Sequence, residues 1–412
     1  MTERLYYHDS LLFDFDGEII EVQPPSGKET RHGVVLDRTA FYPTSGGQVH
    51  DTGWLESPSD SVSSRWKVSE VADQEDGHVV HLIEAEKAPE KGARIRGVID
   101  AARRRDHMRQ HSGQHVLSAA FVRLYNMPTV SFHMGEDYCS IDLDTPNLKP
   151  EQVVEAERLA NDVVLENRTV DIRFVTQDEA RDLGLRKIPP VEREKLRLID
   201  VHDFDLTACG GTHVSCTAQI GAILLRKIEK VRQGWRVEFV CGERAVSTAR
   251  RDYSVLTEAA ALFSSHIWDV AEAVRKTQDD ARTSRKSNEH LLEEIADLQA
   301  KQMLTETPDI NGRKLIVQTI ADRDLAFIKL LTQRLTRLDT RVLALLAVTA
   351  GSPGLVFGQS PGMPFDVGAL MKEAMAKLGG RGGGSKDLAQ GGVPKADGLE
   401  TLLQDLKVRL SS

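Results

Sequence analysis

The sequence predicts a multidomain α+β protein, and two observations lead to this fold class. The chain has 412 residues, which is more than a single hydrophobic core usually organises. Its pattern also changes along the chain: strand-like alternation fills residues 1–99, mixed patterns fill 100–243, a helical pattern fills 244–305, and strands alternate with helices over 306–412. We therefore expect a small N-terminal β-barrel, an α+β domain, a helical or coiled-coil linker and a C-terminal α/β domain rich in glycine.

The first of these domains carries short apolar runs that alternate with polar residues, as strands do. Asp76-Gly77 separates two of the runs and is typical of a hairpin turn. The predicted strands are Phe13–Asp16, Ile19–Val22, Gly33–Leu36, Trp66–Val71 and Val79–Ile83. Several short strands with close turns indicate a small barrel, with a sandwich as the alternative.

The pattern then becomes helical. Ala101–Tyr125 and about Pro150–Asn167 have apolar residues at helical spacing, and strand-like runs such as Val170–Val175 and Leu196–Val201 follow. Beyond residue 244, heptad-like spacing predicts a short antiparallel helical pair or a weak coiled coil. The residues that set this spacing are Val274, Ala281, Leu291, Ile295 and Leu298.

The last segment is predicted to alternate again between strands and helices. The strands are Leu315–Val317 and Val342–Val348, and the helices are Phe327–Leu338, Phe365–Leu378 and Gly398–Leu410. A glycine-rich stretch runs from Gly379 to Gly392 between the last two helices. Such a stretch is often only a flexible connection, although bare backbone amides can also approach a phosphate.

Composition excludes several classes of protein. The net charge of −9 argues against a general nucleic-acid coat protein but leaves room for a local basic surface. Four cysteines are too sparse for a disulfide framework and favour a reducing compartment. The N-terminus has no signal-peptide pattern, and no apolar run reaches the roughly 18 residues of a membrane span. We therefore expect a cytoplasmic protein that does not contact membranes.

Two short fragments carry most of the chemical information. Residues 111–115 read His-Ser-Gly-Gln-His, and residues 209–213 read Cys-Gly-Gly-Thr-His. Residues four apart on a helix share one face, whereas paired glycines favour a tight turn, so each fragment can aim two ligands at one ion. Three imidazoles and one thiolate form a complete tetrahedral set for zinc. The predicted ligands of one Zn²⁺ per chain are His111, His115, Cys209 and His213.

The spacing of these ligands leaves the role of the zinc open. Four protein ligands are typical of a closed structural site, whereas a catalytic site usually keeps one position free. A zinc peptidase of the common type places a glutamate directly after its first histidine. Ser112 occupies that position here, which disfavours a peptidase.

In combination with these fragments, two further stretches indicate a family. The ligand pattern resembles the editing domain of alanyl- and threonyl-tRNA synthetases. Residues 39–53, which read Thr-Ala-Phe-Tyr-Pro-Thr-Ser-Gly-Gly-Gln and then Asp-Thr-Gly, are similar to the glycine-rich motif of alanyl-tRNA synthetase and of the free-standing AlaX proteins. The tail 379–392 resembles the C-terminal domain of the same synthetase, which also ends DHH-type phosphoesterases. The order of the domains is that of a long-form AlaX protein.

This resemblance implies a zinc-dependent hydrolase that deacylates mischarged tRNA(Ala), chiefly Ser-tRNA(Ala) and also Gly-tRNA(Ala). The β region begins at residue 1, which leaves no room for an ATP-binding activation domain. We therefore expect editing in trans without aminoacylation. A homodimer formed through the helical linker or the C-terminal domain is a further expectation.

The resemblance also assigns residues. Thr39 matches the threonine that recognises the hydroxyl of misattached serine, although a threonine in a strand needs no such role. Gln48 matches the glutamine that ends the glycine motif, and Gln114 and Thr212 lie between ligands, where they contact the substrate or order the site. Ser45 replaces the first glycine of a triplet found in many relatives, which costs strain if that position requires a positive φ.

Contacts with tRNA require cations. The predicted residues are Arg103, Arg104 and Arg105 before the ligand helix, together with Arg109, and Arg381 and Lys386 beside the tail glycines. A solvated helix face is the alternative for the first group.

Three alternatives remain from the sequence: a non-catalytic, zinc-stabilised tRNA-binding protein, a phosphoesterase related through the tail, and editing of threonyl type. No aspartate-rich DHH motif is present to support the second alternative. The motif that ends at Gln48 and the tail both favour alanine over threonine.

Overall fold

The computed structural model describes residues 1–57, 64–183, 185 and 195–411, and the chain divides into two compact units, 1–258 and 259–412. The predicted multidomain α+β class is confirmed. The boundaries predicted at residues 99, 243 and 305 do not coincide with this division and stay predictions. Within the described residues, no helix combines the length and the apolar character that a membrane span requires.

A closed barrel forms the start of the first unit. Its region contains β1 (Glu3–Arg4), β2 (Asp14–Gln23), β3 (His32–Leu36), β4 (Arg38–Thr39), β5 (Gly53–Glu56), β6 (Arg65–Asp73), β7 (Val79–Glu84) and β8 (Arg94–Ile99). The barrel order is β2-β3-β7-β6-β5-β8, and the short strands β1 and β4 pair in parallel beside it. Alternate side chains point inward and build an apolar core, for example Ile19, Leu36 and Val68. The barrel predicted from sequence is therefore confirmed over the sandwich.

The rest of the first unit is an α+β arrangement around one buried helix. Its elements are α1 (Ala101–Tyr125), β9 (Thr129–Met134), β10 (Cys139–Leu143), α2 (Pro150–Leu165), β11 (Val170–Val175), α3 (Gln177–Asp182), β12 (Leu196–Val201), β13 (Asp205–Ala208), β14 (Ile223–Val231), β15 (Gly234–Cys241) and α4 (Glu243–Leu262). An antiparallel sheet has the order β14-β15-β10-β9, and a second has the order β11-β12-β13.

Helix α1 carries one half of the candidate site. The Asp100 carboxylate accepts hydrogen bonds from the N–H groups of Ala102 and Arg103, which fixes the start of the helix. The helix ends at Asn126, which adopts a left-handed conformation with φ of 53°. Most residues from His107 to Phe121 are buried, because α1 lies against both the barrel loops and the sheets. Its predicted bounds are confirmed.

The second unit is an α/β domain that begins with a long helix. Its elements are α5 (Val270–Glu306), β16 (Lys314–Ile320), α6 (Leu325–Leu338), β17 (Val342–Val348), β18 (Gly354–Gln359), α7 (Val367–Leu378), β19 (Arg381–Gly384), β20 (Leu388–Gly392) and α8 (Leu399–Ser411). The sheet order is β16-β17-β18-β20-β19, in which only β16 and β17 of the neighbouring described strands pair in parallel. Strand β17, between β16 and β18, is buried along its whole length.

The linker region is helical, as predicted, but its heptad positions face outward in the single chain. Ala281, Leu291, Ile295 and Leu298 are exposed. Helix α5 instead packs against α6 through Ala296 and Ala300, which are fully buried. Small side chains let the two helix backbones approach closely, and this contact does not use the heptad positions.

The glycine-rich tail is an ordered hairpin rather than a flexible connection. Strands β19 and β20 pair antiparallel from Arg381 opposite Gly392 to Gly384 opposite Ala389. A Cβ atom on Gly382 would lie 2.4 Å from the Gly391 Cα atom, so these strands approach too closely for side chains. Several of the glycines are therefore packing requirements.

Candidate metal centre

The four predicted ligands meet in the first unit. One ligand atom from each of His111, His115, Cys209 and His213 lies within 4.8 Å of all the others. The Cys209 Sγ atom is 3.5 Å from His111 Nε2 and 3.3 Å from His213 Nε2. In a tetrahedral zinc site with Zn–S of about 2.3 Å and Zn–N of about 2.0 Å, the nitrogen and sulfur ligands lie roughly 3.5 Å apart. The spacing of these donors therefore fits a zinc ion.

A glycine turn brings the second pair of ligands against the first. A Cβ atom on Gly211 would lie 2.2 Å from His111 Cε1 and 2.9 Å from Gln48 Oε1, so only glycine fits there. Gly210 has no such neighbour, since its nearest contact would be the Tyr7 hydroxyl at 3.6 Å. The two glycines thus differ in role: the second permits close packing, whereas the first lies exposed at the edge of the centre.

Gln48 fixes the orientation of His111. The amide oxygen of Gln48 lies 2.7 Å from His111 Nδ1 and accepts a hydrogen bond of 3.1 Å from the Thr212 N–H group. Its amide nitrogen donates to the Thr212 hydroxyl at 2.8 Å. Because the oxygen can only accept, His111 carries a proton on Nδ1, and its Nε2 atom faces the Cys209 sulfur. A partner of this kind typically fixes both the tautomer and the ring orientation of a metal-binding histidine.

His213 is oriented by Ser112 of α1 and by Ser10. Its Nδ1 atom is 3.0 Å from the hydroxyl of Ser112, and its backbone N–H donates to the Ser10 hydroxyl at 3.2 Å. Ser112 also accepts a hydrogen bond from the Val214 N–H group at 3.1 Å. Burial, together with the neighbouring His111, lowers the pKa of His213 to about 3, so this imidazole is neutral and can ligate.

The acidic residue Asp205 lies close to His115. The Asp205 carboxylate is 3.4 Å from His115 Nδ1, an ion-pair distance at which the two atoms are not aligned for a hydrogen bond. Burial alone would lower the pKa of His115, but Asp205 and the Cys209 thiolate raise it to about 9. The surroundings therefore favour a positive charge at His115, which a metal cation would supply in place of the proton.

The surroundings of Cys209 favour the thiolate form that a metal ligand needs. Burial would raise the pKa of its thiol, but the adjacent imidazoles of His111 and His213 hold that pKa well below the usual value. The Gly211 N–H group also donates to the sulfur at 3.4 Å. A lowered pKa favours the thiolate form that metal binding requires, so the chemistry of these side chains supports a metal site.

Gln48 is placed at this centre by a tight turn. Ser45 and Gln48 exchange two backbone hydrogen bonds of 3.0 Å, and Gly46 and Gly47 between them have φ values of 57° and 86°. These values are those of a type I′ turn, which requires positive φ at both central positions. Ser45 does not have a positive φ. A serine in place of the glycine at this position therefore causes no backbone strain.

Thr39 lies in the barrel and is fully buried. Its hydroxyl is 2.8 Å from His81 Nε2 and accepts from the Phe41 N–H group at 3.1 Å. Burial lowers the pKa of His81 to about 4, and its Nδ1 atom faces the Val34 carbonyl at 2.9 Å, so Nε2 must accept the threonine proton. The hydroxyl proton of Thr39 is therefore already donated to His81. With any further group, this hydroxyl can only accept a hydrogen bond. Its predicted role stays a prediction.

The two residues predicted between the ligands differ in their contacts. Thr212 is fully buried and joins Gln48, as described above. Gln114 is nearly buried and turns along α1, where its amide donates to Ser118 at 2.8 Å. Ser118 in turn lies 2.6 Å from the Thr129 hydroxyl. The structure thus brings Thr212 into the orienting network, whereas the contacts of Gln114 point away from the ligand atoms.

The arginines before the ligands do not form a single surface. Arg104 is fully buried, where it pairs with Asp51 and donates to the Ser10 and Ala40 carbonyls. The prediction that it binds tRNA is wrong, because every one of these contacts would have to break. Arg103 is half-buried and donates to the His50 carbonyl at 3.0 Å, and only Arg105 is exposed. Arg109 is half-buried beside the Gln219 carbonyl.

The two cations of the tail lie at opposite ends of the hairpin. Arg381 opens β19, whereas Lys386 lies in the turn that follows Gly384. Both are exposed, but they are separated by about five residues of extended chain, roughly 16 Å. They cannot hold the same phosphate, although each stays a predicted contact for an extended RNA backbone.

Asp205 and Ser112 are the residues of the site that the sequence did not reveal. Asp205 lies four positions before Cys209, in the strand that leads to the ligand turn, and its acidic character among apolar neighbours is the one signal available. Ser112 was noted only as the residue that disfavours a peptidase. Phe132 was also missed, and its ring stacks on His111 with centroids 5.4 Å apart.

Comparison with known families agrees with this arrangement. Residues 11–103 match the model for class II (A) tRNA synthetases, and residues 196–237 match the second additional domain of threonyl- and alanyl-tRNA synthetases. Residues 312–412 match the DHHA1 domain. The second of these matches contains Cys209 and His213, and the third contains the glycine hairpin.

Individual relatives extend the similarity along the chain. The chain is 28% identical over 396 residues to the alanyl-tRNA editing protein AlaX-L of Pyrococcus horikoshii, which covers 95% of each chain. It is 31% identical over 412 residues to the alanine–tRNA ligase of Archaeoglobus fulgidus, covering 98% of this chain and 43% of the ligase. The chain thus spans less than half the length of the ligase. The structure of the C-Ala domain of Aquifex aeolicus alanyl-tRNA synthetase matches at 23% identity over 26% of this chain and 99% of that domain, with a TM-score of 0.24. The chain is a relative of the free-standing AlaX-type alanyl-tRNA editing proteins and of the corresponding region of alanyl-tRNA synthetases.

Proposed function

We propose that this protein is a zinc-dependent hydrolase that deacylates mischarged tRNA(Ala), chiefly Ser-tRNA(Ala) and also Gly-tRNA(Ala), and that it acts in trans without charging tRNA. One observation carries the proposal: four side chains able to hold a metal ion cluster together, and Gln48, which ends the glycine motif, orients one of them, His111. The similarity to an alanyl-tRNA editing protein supports the substrate class.

The chemistry requires water to attack the ester carbonyl that joins the amino acid to the terminal ribose. The amino acid leaves as its carboxylic acid, and the ribose hydroxyl recovers a proton. A zinc ion bound by the four ligands would supply a Lewis acid beside the ester or, as a closed site, would fix the geometry of the surrounding residues.

The residues of the chain would supply the positioning. Gln48, which Thr212 holds in place, orients His111, and the exposed Gly210 lies at the edge of the centre, where its N–H group can orient the ester carbonyl. The N–H groups of Gly211 and Thr212 are already directed at Cys209 and Gln48. An aminoacyl ester is reactive, so orientation and exclusion of side reactions suffice for a useful rate.

The test is a deacylation assay with Ser-, Gly- and Ala-charged tRNA(Ala), using zinc-loaded protein. We expect rapid release of serine, slower or comparable release of glycine, and little release of alanine. Chelation and the Cys209→Ala variant should each abolish the activity. Full activity of Cys209→Ala, with its zinc content measured in the same preparation, would show that the metal centre is not required.

A non-catalytic zinc-stabilised tRNA-binding protein is the second candidate. The closed donor set favours it, because four protein ligands leave no open coordination position. The same assay separates the two functions: binding of charged tRNA with no release of any amino acid would support the second candidate and exclude the first.

We also propose that the protein acts in the cytoplasm and forms a homodimer. The four cysteines form no disulfide, which suits a reducing compartment. The exposed apolar residues of α5, Leu291 and Leu298 among them, support a second copy as the partner of that helix. Light scattering after size-exclusion chromatography should give twice the mass of one chain. The Leu298→Glu variant should have the mass of a single chain.

A further inference from the structure

A buried cation without an acidic partner lies beside the metal centre. Arg197, in β12, is only 8% exposed, and no carboxylate of the described residues pairs with it. Its Nε atom donates to the Tyr7 carbonyl at 2.9 Å, and its NH1 atom donates to the Cys209 carbonyl at 2.6 Å. Its NH2 atom is buried without a hydrogen-bond partner. Buried guanidinium groups are normally paired, so this one requires a further acceptor.

Exposed aromatic rings lie next to this cation. The His8 and Phe174 rings have centroids 5.1 Å apart at an interplanar angle of 30°, and Phe174 is 42% exposed. Phe174 lies directly opposite Arg197 in the antiparallel pair β11–β12, so both side chains leave the same side of the sheet. The Tyr7 ring lies 5.6 Å from the Arg197 guanidinium. We call Tyr7, His8, Phe174 and Arg197 the aromatic–arginine surface.

This surface borders the exposed side of the metal centre. Gly210, directly after the ligand Cys209, is exposed, and a Cβ atom on it would lie 3.6 Å from the Tyr7 hydroxyl. Arg197 also holds the ligand turn from both sides, because its carbonyl accepts from the Cys209 N–H group at 3.1 Å. A substrate that reached the centre past Gly210 would therefore pass over the aromatic–arginine surface.

We propose that the aromatic–arginine surface binds the single-stranded 3′ end of the RNA substrate, with a base stacked on His8 and Phe174 and a phosphate oxygen accepting from Arg197. This proposal rests on the proposed function. Unstacked bases prefer aromatic faces, and a guanidinium binds a phosphate oxygen by a charge-assisted hydrogen bond. Because the Tyr7 ring covers Arg197, this ring must turn aside when the phosphate enters.

The first experiment measures binding by fluorescence anisotropy, with a 5′-labelled single-stranded RNA tetranucleotide and the zinc-loaded full chain. Phe174→Ala and His8→Ala should each weaken binding about tenfold, since loss of one stacked base typically costs that much or more. Tyr138→Ala is the matched control, because Tyr138 is 45% exposed in the same unit and should leave binding unchanged. No measurable binding to the wild type, or equal binding by Phe174→Ala and Tyr138→Ala, would overturn the proposal.

The second experiment tests the cation through the salt dependence of the same binding. Arg197→Gln should reduce the slope of log K against log salt by about one, because one phosphate contact is lost. Arg197→Lys should restore most of the slope. Inorganic phosphate should compete with the tetranucleotide for the wild type more strongly than for Arg197→Gln. An unchanged slope in Arg197→Gln, at unchanged zinc content and circular dichroism, would contradict the phosphate contact.

These outcomes are separable from failure of the proposed function. If the wild type releases no amino acid from charged tRNA(Ala), the hydrolase proposal fails whatever the variants do. If the wild type is active but a stable RNA hairpin whose stem contains the same four nucleotides binds as well as the single strand and is weakened equally by Phe174→Ala, the single-strand assignment fails alone.

Discussion

Single residues of the glycine turn decide whether the metal centre can form. Gly211 lies against both His111 and Gln48, whereas the adjacent Gly210 faces open space near Tyr7. In Gly211→Ala the added methyl group would push His111 from its place, so we expect zinc affinity to fall by about 10- to 100-fold, as when a partner that orients a metal-binding histidine is lost. Competition with a chromophoric chelator measures this affinity. Gly210→Ala is the control and should bind zinc like the wild type.

Thr39 offers a second prediction at this scale, because its hydroxyl proton is already given to His81. It can therefore accept a hydrogen bond from the hydroxyl of serine, which alanine lacks. Thr39→Val should lose the preference for Ser-tRNA(Ala) over Ala-tRNA(Ala) more than it loses total activity, whereas Thr39→Ser should keep the preference. Initial rates on the two substrates test this. An equal loss on both substrates would argue against recognition by Thr39.

The same substitution also has a cost in stability. Thr39→Val leaves His81 Nε2 and the Phe41 N–H group without their partner in a fully buried place, at about 1–3 kcal/mol for each unsatisfied group. The rates must therefore be measured below the unfolding transition of the variant, which circular dichroism locates.

At the residue scale, the sequence predicted four side chains that the structure brings together, because the spacing within each pair is local, but it could not place residues that meet them across the fold. Asp205 is far along the chain from His115, and Ser112 is far from His213, so only the folded chain brings each pair together. For Arg104 the sequence instead predicted a contact with tRNA that its burial contradicts. Successive helical residues point about 100° apart, so three consecutive arginines could never face one RNA strand together.

At the scale of elements, the glycine hairpin of the second unit carries its own prediction. A Cβ atom on Gly382 would lie 2.4 Å from Gly391 Cα and 2.6 Å from the Gln390 carbonyl, whereas Gly383 has no atom within 4 Å. Gly382→Ala should therefore separate β19 from β20 and destabilise this unit by about 1–3 kcal/mol, the usual cost of overpacking. Differential scanning calorimetry measures the loss, and Gly383→Ala should unfold close to the wild type.

The same hairpin shows why some elements could not be predicted. Strand signals rest on branched and aromatic residues that alternate, and β19 consists of Arg381 followed by three glycines. Helix α1, in contrast, has apolar residues at helical spacing in its second half, among them Val116, Ala120 and Leu124, and its predicted bounds agree with the structure. Elements defined by local side-chain pattern were predictable, whereas those defined by the close approach of two backbones were not.

At the scale of the whole molecule, the metal centre belongs entirely to the first compact unit. The ligands and the residues that orient them, Gln48, Ser112 and Asp205, all precede residue 258. The sequence predicted separate barrel and zinc-containing domains, yet Gln48 crosses from the barrel region to His111. The centre therefore requires both parts of this unit to fold together, which a division by secondary-structure pattern could not reveal.

This division predicts the outcome of truncation. A chain that ends at Leu262, the last residue of α4, should bind one zinc per chain with unchanged affinity, because it keeps every residue of the centre. If Arg381 and Lys386 contact tRNA as predicted, the truncated chain should show a raised KM for Ser-tRNA(Ala) and a kcat near that of the full chain, since uniform binding is lost while the reacting site is intact. Arg381→Gln in the full chain should raise KM in the same direction by a smaller factor. Loss of zinc from the truncated chain would contradict the assignment of the centre to the first unit. An unchanged KM for Ser-tRNA(Ala) would show that the second unit does not contribute to tRNA binding.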